Sequence, residues 1–304
     1  MILNALTIDV EDYFQVSAFE RCVKRNEWAA YPLRVEDNTR RILDMLDEFG
    51  VTATFFVLGW IAERTPRLIK EIQARRHEIA CHGYGHQRVT QQTRQEFRDD
   101  IRKSKAVLED LLGTAVIGYR APSYSIARNS FWAFDELVEA GYLYDSSVFP
   151  ISHDFYGIPD WPRYACNVLR KTDGDWDPET ESPEIGGAEI GAAPRIFEIP
   201  ITTLNICGKN IPIAGGGYFR FFPYVFTKWG LQRINSNENK SFVFYLHPWE
   251  LDPEQPRMRG AGVKSTFRHY LNLHKTAQRF HHLLTDFRFT SLKQMYFADC
   301  SMRS

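Results

Sequence analysis

The sequence predicts an α/β fold whose parallel strands close, fully or in part, into a barrel. Short β-rich segments alternate with amphipathic helical segments along the first half of the chain. This alternation is typical of βαβ units, which place their strands parallel in one sheet. The units repeat several times, and no dinucleotide-binding glycine fingerprint accompanies them. A barrel is therefore favoured over an open Rossmann sheet.

The first two strands and the helix between them follow from local patterns. Residues 2–9 form a short β-rich run, and residues 51–58 are β-branched and aromatic. Both segments are therefore predicted to be strands. Between them, residues 36–49 carry apolar side chains at helical spacing, and Gly50 follows as a stop signal. These three segments make the first predicted βαβ unit.

The next segments continue the alternation. A helix is predicted to begin at Pro66, because proline is tolerated in the first turn of a helix. Gly141 is the stop signal of a later predicted helix. The predicted helices of this region are 66–77, 92–112 and 129–140, and the predicted strands are 78–81, 115–119 and 142–144.

The second half of the chain has a less regular pattern. Residues 171–193 are acidic and glycine-rich with two prolines, which predicts an irregular, exposed insertion. Residues 198–204 and 241–246 are predicted strands, and residues 266–287 form a long amphipathic helix that is expected to cap the fold. The sequence shows no internal repeat and no clear linker. We therefore predict a single domain over residues 1–304.

Charge and composition limit the function classes. The 304 residues include 37 basic and 38 acidic side chains, a net charge of -1 that gives no support for nucleic-acid binding. Aromatic residues make up 14% of the chain, which suits a large aromatic core or a platform on which sugar rings stack. The oligomeric state is left open.

The cysteines and the N-terminus predict a cytoplasmic protein. Five widely spaced cysteines without a C-x-x-C motif do not form a disulfide framework and fit a reducing compartment. The N-terminal segment has no basic lead and soon becomes acidic, so it is not expected to be a signal peptide. No apolar run reaches the roughly 18 residues that a membrane span needs.

Carboxylates and histidines follow two of the predicted strands. Asp9, Glu11 and Asp12 come at the end of the first strand, and His82 and His86 come after the strand that ends at Cys81. Barrel active sites are built at the carboxyl ends of parallel strands. Two imidazoles four residues apart can chelate a metal ion if the turn is helical. With a carboxylate they suit Zn²⁺, with Co²⁺, Ni²⁺ and Mn²⁺ as alternatives.

Three further polar residues follow other predicted strands. Arg120 ends the strand 115–119, and an arginine near a carboxylate lowers its pKa and fixes its orientation. His247 follows the strand 241–246, and Asp145 follows the strand 142–144. A strand-terminal histidine with a distant aspartate indicates a general acid that is oriented by a carboxylate.

The order Asp…His-x-x-x-His…Arg-x-Pro…Asp…Leu-x-His resembles the polysaccharide deacetylase family, the NodB-type carbohydrate esterases. The resemblance covers roughly residues 1–150 and the strand before His247. Residues 215–224 (GGGYFRFFPY) and 247–257 (HPWELDPEQPR) resemble the narrower branch found with bacterial exopolysaccharide export and protein-sorting gene clusters. The family resemblance implies a distorted (β/α) barrel and removal of acetyl groups from an amino-sugar polysaccharide or oligosaccharide.

The resemblance also implies a role for each matched residue. Asp9 matches the general base, Arg120 the residue that holds it, His247 the general acid and Asp145 the partner of that acid. His82 and His86 match the metal ligands, and Leu246 would line a pocket for the acetyl methyl group. The substrate-binding residues are predicted to be Tyr119, Pro122, Tyr218, Leu246 and Trp249.

The chain departs from the family pattern in one place. The usual first motif has two adjacent aspartates, of which the first is the base and the second a metal ligand. Here Val10 follows Asp9, so the carboxylate ligand is predicted to be Glu11 or Asp12. Alternation along an extended strand puts Asp9 and Glu11 on one side, which favours Glu11. A strand that ends at Asp9 would let the loop present Asp12 instead.

These residues predict metal-assisted hydrolysis of an amide. Asp9 would take the proton of the attacking water, His247 would protonate the leaving amine, and a backbone N–H near residues 119–121 would help hold the oxyanion. One rival function is hydrolysis of a non-sugar linear or cyclic amide on the same scaffold. Another is a catalytically inactive glycan-binding module. The sequence contains no G-x-S-x-G motif, so a serine hydrolase is not supported.

The aromatic segment 215–224 predicts one wall of the active-site groove. Its three consecutive glycines allow a tight backbone path, and aromatic rings follow them directly. Most of these rings are expected to belong to the core. We predict that at least one of Tyr218, Phe219 and Trp249 borders the groove on the side of His247.

Overall fold

A computed structural model describes residues 2–153, 156–179 and 195–298. Its strands are β1 Leu3–Val10, β2 Thr54–Val57, β3 Glu78–Cys81, β4 Gly118–Tyr119, β5 Tyr144–Asp145, β6 Cys166–Arg170, β7 Trp176–Pro178, β8 Arg195–Glu198, β9 Thr203–Ile206, β10 Lys209–Pro212, β11 Val243–Leu246 and β12 Arg288–Thr290. Its α-helices are α1 Val35–Phe49, α2 Gly59–Arg64, α3 Pro66–Ala74, α4 Arg94–Leu112, α5 Trp132–Glu139, α6 Gly216–Phe221, α7 Tyr224–Asn237, α8 Val263–Tyr270, α9 Leu273–Asp286 and α10 Leu292–Tyr296.

The strands form the parallel sheet of a distorted barrel, as the sequence predicts. The parallel order is β11-β1-β2-β3-β4-β5-β8, and β12 also pairs with β1. Between β8 and β11, the first and last strands of this order, the link is a side chain that follows β8. Oγ1 of Thr202 accepts from the backbone N–H of Val243 at 2.7 Å. The carboxyl ends of these strands therefore meet at one end of the barrel, where an active site can form.

Apolar side chains explain why the strands and helices form where they do. Residues 4–10 of β1 and all of β2 are buried, as expected for central strands covered by helices on one face. Helix α1 buries Ile42, Leu43 and Leu46 on one side and ends at Gly50, whose φ of 60° suits glycine. The predicted helices 36–49, 66–77, 92–112 and 129–140 correspond to α1, α3, α4 and α5.

Several predicted strands are shorter than their apolar runs suggest. The runs 115–119 and 142–144 contribute only two-residue strands, β4 and β5. The run 198–204 contains the end of β8 and the start of β9, with a break between them. At this break Ile199 still donates to the carbonyl of Asp145 at 2.8 Å, but Pro200 has no N–H with which to continue the ladder.

The predicted irregular insertion at 171–193 begins as regular structure. Strand β7 pairs antiparallel with β6, and the N–H of Lys171 donates to the carbonyl of Asp175 at 2.7 Å to close the turn between them. Residues 171–179 therefore belong to a hairpin at the end of the sheet, which corrects this part of the prediction. Residues 180–193 lie outside the described residues.

The predicted C-terminal capping helix 266–287 is two helices, α8 and α9. Asn272 interrupts them in a left-handed conformation with a φ of 53°, which asparagine tolerates better than most residues. Its side-chain amide donates to the carbonyl of Arg220 at 2.9 Å, so a long-range contact fixes the break. Within the described ranges, no helix has both the length and the apolarity to cross a membrane.

Candidate active site

The predicted site residues lie at the carboxyl ends of neighbouring strands. Asp9 is near the end of β1, His82 follows β3, Arg120 follows β4 and His247 follows β11. Since β11, β1, β2 and β3 are consecutive in the sheet, their ends bring these side chains together. Asp9, His82 and Arg120 are almost fully buried, with exposed fractions of 2% or less. These side chains are thus buried together at the carboxyl ends of the barrel strands.

Glu11, His82 and His86 form a buried cluster whose ligand atoms all lie within 4.8 Å of one another. Oε2 of Glu11 is 2.7 Å from Nε2 of His86. Nδ1 of His82 lies 2.8 Å from the carbonyl oxygen of Arg120, to which an Nδ1–H donates. That bond leaves Nε2 of His82 free to bind a cation. One carboxylate and two imidazoles fit a divalent transition-metal ion.

The protonation states of the cluster also suit a cation. Burial by itself would raise the pKa of Glu11, but the nearby His86 and His247 outweigh it and lower that pKa to about 2. Burial lowers the pKa of His82 to about 4. A metal ion needs an ionised carboxylate and a neutral imidazole, and both forms prevail here at neutral pH.

Asp12, the alternative carboxylate ligand, has a different contact set. Its Oδ1 accepts from the N–H of Tyr13 at 2.8 Å, and its Oδ2 accepts from the N–H groups of Arg34 and Val35 at 2.7 and 2.9 Å. The carboxylate therefore caps the start of α1. The prediction that Asp12 could join the histidines is wrong, because β1 continues to Val10 and alternation turns Glu11 to the side of Asp9.

Asp9 is held by Arg120 as predicted. Nη1 of Arg120 donates to Oδ1 of Asp9 at 2.7 Å and to Oγ1 of Thr7 at 2.8 Å. Nε and Nη2 of the same guanidinium donate to the carbonyl and the hydroxyl of Ser146 at 3.0 and 2.9 Å. Oδ2 of Asp9 lies 3.4 Å from the hydroxyl of Tyr124 and 3.8 Å from Nε2 of His247. One carboxylate oxygen is thus fixed, and the other faces the site.

His247 is oriented by Glu250 and not by Asp145. Nδ1 of His247 is 3.0 Å from Oε2 of Glu250, and Nε2 faces the site at 3.4 Å from Oε1 of Glu11. Oε1 of Glu250 in turn accepts from Nε of Arg220 at 2.7 Å. The prediction for Asp145 is therefore wrong. The spacing of His247 and Glu250 in HPWE, three residues apart across one turn, is the signal that could have identified the partner.

Charge pairing shifts the pKa values along this chain of groups. Burial alone would lower the pKa of His247, but Glu11 and Glu250 outweigh it and raise that pKa to about 9. Burial alone would raise the pKa of Glu250, but Arg220 and His247 lower it to about 2. Nη1 of Arg220 also donates to the carbonyls of residues 268, 269 and 271. The imidazole is thus held through Glu250 and Arg220 to the end of α8.

Asp145 belongs to a separate buried pair. Oδ1 of Asp145 accepts from the hydroxyl of Ser147 at 2.5 Å, and its backbone is directly opposite Glu198 on β8. Burial raises the pKa of Asp145 to about 6 and raises the pKa of Glu198 well above its usual value. Two buried carboxyl groups that face each other cannot both ionise, so this pair holds a proton at neutral pH.

Of the three rings predicted to border the groove, Trp249 lies at the site. Its Nε1 donates to Oε1 of Glu11 at 3.2 Å, and its ring stacks between His247 and His269 with centroid distances of 5.2 and 4.2 Å. Phe219 is fully buried in the main core, and Tyr218 is half-buried against Phe149.

The other predicted substrate-binding residues are less accessible. The ring of Tyr119 is buried against Phe97 and Tyr142, so this side chain belongs to the core and not to a substrate pocket. Leu246 is also fully buried in the main core, and its contact with an acetyl methyl group stays a prediction. Pro122 is buried beside Arg120 and opens the turn after β4.

Two of the backbone groups predicted to hold an oxyanion are already bonded. The N–H of Arg120 donates to the carbonyl of Cys81 at 2.9 Å, and the N–H of Ala121 donates to the hydroxyl of Ser147 at 2.7 Å. These bonds fix the turn after β4 and leave neither group for a substrate. The prediction of an oxyanion donor is therefore wrong for these two residues.

Parallel barrels with buried ligand clusters at their strand ends are a frequent form of metal-dependent hydrolase. Comparison with protein families is more specific. Residues 28–142 match the polysaccharide deacetylase family, and residues 146–297 match a domain of unknown function, DUF3473. The chain therefore combines a polysaccharide deacetylase domain, over residues 28–142, with a DUF3473 domain over residues 146–297.

Individual relatives are similar over part of the chain. A peptidoglycan-N-acetylglucosamine deacetylase of Bacillus cereus is 36% identical over 99 residues, which cover 32% of this chain and 36% of that protein. A peptidoglycan deacetylase of Helicobacter pylori is 30% identical over 168 residues, covering 53% and 51%. The chain thus spans between about a third and a half of the length of these relatives.

A solved structure shares the fold over nearly the whole chain. The crystal structure of a protein from Mycobacterium smegmatis, described as a polysaccharide deacetylase, has a TM-score of 0.57 and 18% identity. The match covers 98% of this chain and 90% of that one. This likeness supports the assignment of the barrel fold.

The DUF3473 range completes the barrel that the first half begins. Strand β1 pairs on one side with β2 and on the other with β11, and β12 of the same range also pairs with it. The range 146–297 also supplies His247, Glu250 and Arg220. The cluster of Glu11, His82 and His86 and the histidine that faces it therefore come from different halves of the sequence.

Proposed function

We propose that this protein is a metal-dependent N-deacetylase that hydrolyses the acetamido group of an amino sugar in a polysaccharide or oligosaccharide. One observation carries the proposal. The cluster of Glu11, His82 and His86 is flanked by Asp9 and by His247, each of which has its own buried partner. A base, an acid and a ligand set in one buried site are what amide hydrolysis requires.

Glu11, His82 and His86 would hold the ion, and we propose Zn²⁺, with Co²⁺, Ni²⁺ and Mn²⁺ as alternatives. When bound, such an ion polarises the amide carbonyl and lowers the pKa of water towards about 7. Trp249 donates to Oε1 of Glu11, and Oε2 faces Nε2 of His86. The ligand set is thereby oriented before any ion arrives, as the partners of metal ligands commonly ensure.

Asp9 and His247 would divide the proton transfers between them. Oδ2 of Asp9 faces the site while Arg120 holds Oδ1, so Asp9 is placed to accept the proton of the attacking water. Nε2 of His247 faces the same space, and Glu250 holds Nδ1. His247 is therefore placed to donate a proton to the departing amine nitrogen, which would otherwise leave as an unstable anion.

An amino-sugar substrate is supported by the relatives. The similar proteins of Bacillus cereus and Helicobacter pylori are named for deacetylation of peptidoglycan, a polymer that contains N-acetylated amino sugars. The resemblance of residues 215–224 and 247–257 to the exopolysaccharide-associated branch supports an exopolysaccharide as the polymer. Trp249, stacked beside His247, offers a ring edge to a sugar in the site.

Metal removal tests the proposed function directly. We expect the protein to release acetate from N-acetylglucosamine oligomers, to lose this activity after chelation and to regain it with Zn²⁺ or one of the alternative ions. A panel of small linear and cyclic amides is the control for substrate class. Full activity in a metal-free preparation would contradict the proposed role of the metal. Faster turnover of the small amides would contradict an amino-sugar substrate. Glycan binding without turnover would indicate an inactive binding module.

We further propose that the protein acts in the cytoplasm. Support comes from its cysteines, since the four in the described ranges are all free thiols and two of them, Cys81 and Cys166, are buried. Unpaired thiols persist in reducing compartments. Fractionation of cells that produce the protein, followed by detection with an antibody, tests this proposal.

A further inference from the structure

A cleft of about 680 Å³ opens beside Trp249, next to the candidate active site. Trp249 forms part of its wall and also donates to Glu11, so the cleft begins next to the proposed metal ligands. A smaller cavity of about 170 Å³ reaches His86 and shares Val16 and Ser17 with the cleft. A glycan with its acetamido group at the site would therefore extend through this cleft. Its volume is in the range of roughly 300–1,000 Å³ that ligand sites occupy.

Positive charge surrounds the cleft without matching negative charge. Arg21, Lys264 and Arg268 line it, all three are exposed, and none has a carboxylate within 4.0 Å in the described part of the chain. Lys264 and Arg268 are four residues apart on α8 and therefore share one face of that helix. The acidic residue among the lining side chains, Glu20, is already paired with Arg88.

The sequence around α8 is rich in positive charge. Residues 255–285 contain six lysines and arginines and no aspartate or glutamate, although the whole chain has a net charge of -1. Two of these six, Lys264 and Arg268, line the cleft. Both side chains are exposed, so packing does not require a lysine or an arginine at either position.

We propose that the natural glycan carries an anionic group, a carboxylate or a phosphate, which Arg21, Lys264 and Arg268 bind while the acetamido group lies at the metal cluster. This inference rests on the proposed deacetylase function. An arginine and a lysine side by side favour an anionic oxygen group, since both donate charge-assisted hydrogen bonds to it. Neutral sugars would contact the same cleft without using these charges.

Three substrates test the inference and separate the two anionic groups. The neutral probe is a tetramer of N-acetylglucosamine, the carboxylate probe is a tetramer of N-acetylglucosamine alternating with glucuronic acid, and the phosphate probe is N-acetylglucosamine 1-phosphate. We expect kcat/KM for at least one anionic probe to exceed that of the neutral tetramer by about tenfold, the value of one charge-assisted contact. The excess should shrink as salt screens the charges.

Variants assign the effect to the cleft. The double variant Lys264→Ala/Arg268→Ala should lower the ratio of anionic to neutral kcat/KM by about tenfold, because the anionic probe loses a charge-assisted contact of that value. The control Lys70→Ala/Lys275→Ala removes the same charge from exposed positions that do not line the cleft and should leave the ratio unchanged. An equal fall in both double variants would show long-range attraction only and overturn the assignment, as would equal kcat/KM for neutral and anionic probes.

Binding measurements keep the inference separable from the deacetylase proposal. Calorimetry with the Asp9→Asn protein measures affinity for the anionic and neutral tetramers without turnover. Preference for the anionic tetramer that is lost in Lys264→Ala/Arg268→Ala would support the cleft even if no probe were deacetylated. Equal affinity for both tetramers would refute it even if the deacetylase activity were confirmed.

Discussion

Replacing Glu11 with glutamine is expected to abolish metal binding and acetate release together, whereas replacing Asp12 with asparagine should leave the metal in place. Glu11 supplies the carboxylate that clusters with His82 and His86, and its Oε2 is 2.7 Å from Nε2 of His86. Asp12 instead accepts from the N–H of Tyr13 and from two backbone N–H groups at the start of α1. Metal content per protein molecule, measured beside turnover, distinguishes the two carboxylates.

Asp9→Asn completes this comparison, since Asp9 is proposed as a base and not as a ligand. The asparagine can still accept a hydrogen bond from Arg120, so the fold and the metal should be retained while turnover falls by roughly 10² to 10⁴-fold. Thermal unfolding should be recorded for each variant, because in Asp12→Asn the amide nitrogen replaces one of the two oxygens that accept backbone N–H groups. Metal loss in Asp12→Asn with retention in Glu11→Gln would reverse the assignment.

The position of Glu11 could be predicted from the sequence because it depends on a local rule. Side chains two residues apart along a strand point to the same side, so Asp9 and Glu11 had to share a face once β1 was long enough. Val10 packs in the main apolar core, whereas Asp9 and Glu11 both lie near Nε2 of His247, as alternation requires. The strand-end positions of His82, Arg120 and His247 were predictable in the same way, from the pattern of short apolar runs.

Pairings between distant residues could not be read from the sequence. Glu198 is opposite Asp145 only because β8 pairs with β5, and the run 198–204 does not reveal that its strand ends at Glu198. Asn272 breaks the long amphipathic segment near the C-terminus because its side chain bonds to the carbonyl of Arg220. Amphipathic spacing continues through this break, so periodicity alone predicts one helix.

The partner of His247 lies only three residues away in the sequence, at Glu250. A carboxylate three residues after a strand-terminal histidine can reach back to that residue, as in a capping box. Here Glu250 accepts from both the N–H and the ring of His247. Family resemblance pointed instead to Asp145, which the sheet places beside Glu198.

Replacing Glu250 with glutamine is therefore expected to impair turnover more than replacing Asp145 with asparagine. Glu250 bonds Nδ1 of His247, and Arg220 holds the carboxylate in place. A glutamine of the same size loses the charge that pairs with the imidazole, so the ring is less firmly oriented. We expect kcat to fall by about 10- to 100-fold with little change in KM, below the roughly 10² to 10⁴-fold expected for removal of the acid itself in His247→Ala.

Spectroscopy separates positioning of His247 from general damage to the fold. The ¹⁵N resonances of the His247 ring should move in Glu250→Gln, because Nδ1 loses its carboxylate partner, and should stay in place in Asp145→Asn, whose side chain bonds Ser147. Asp145→Asn should retain kcat within about threefold, since surrounding hydrogen bonds can be kept by the amide. A larger loss of kcat in Asp145→Asn than in Glu250→Gln, with movement of the His247 resonances, would mean that the distant aspartate orients the acid after all. The opposite result would place the control of the proton donor within one turn of the chain, in the half of the sequence that matches DUF3473.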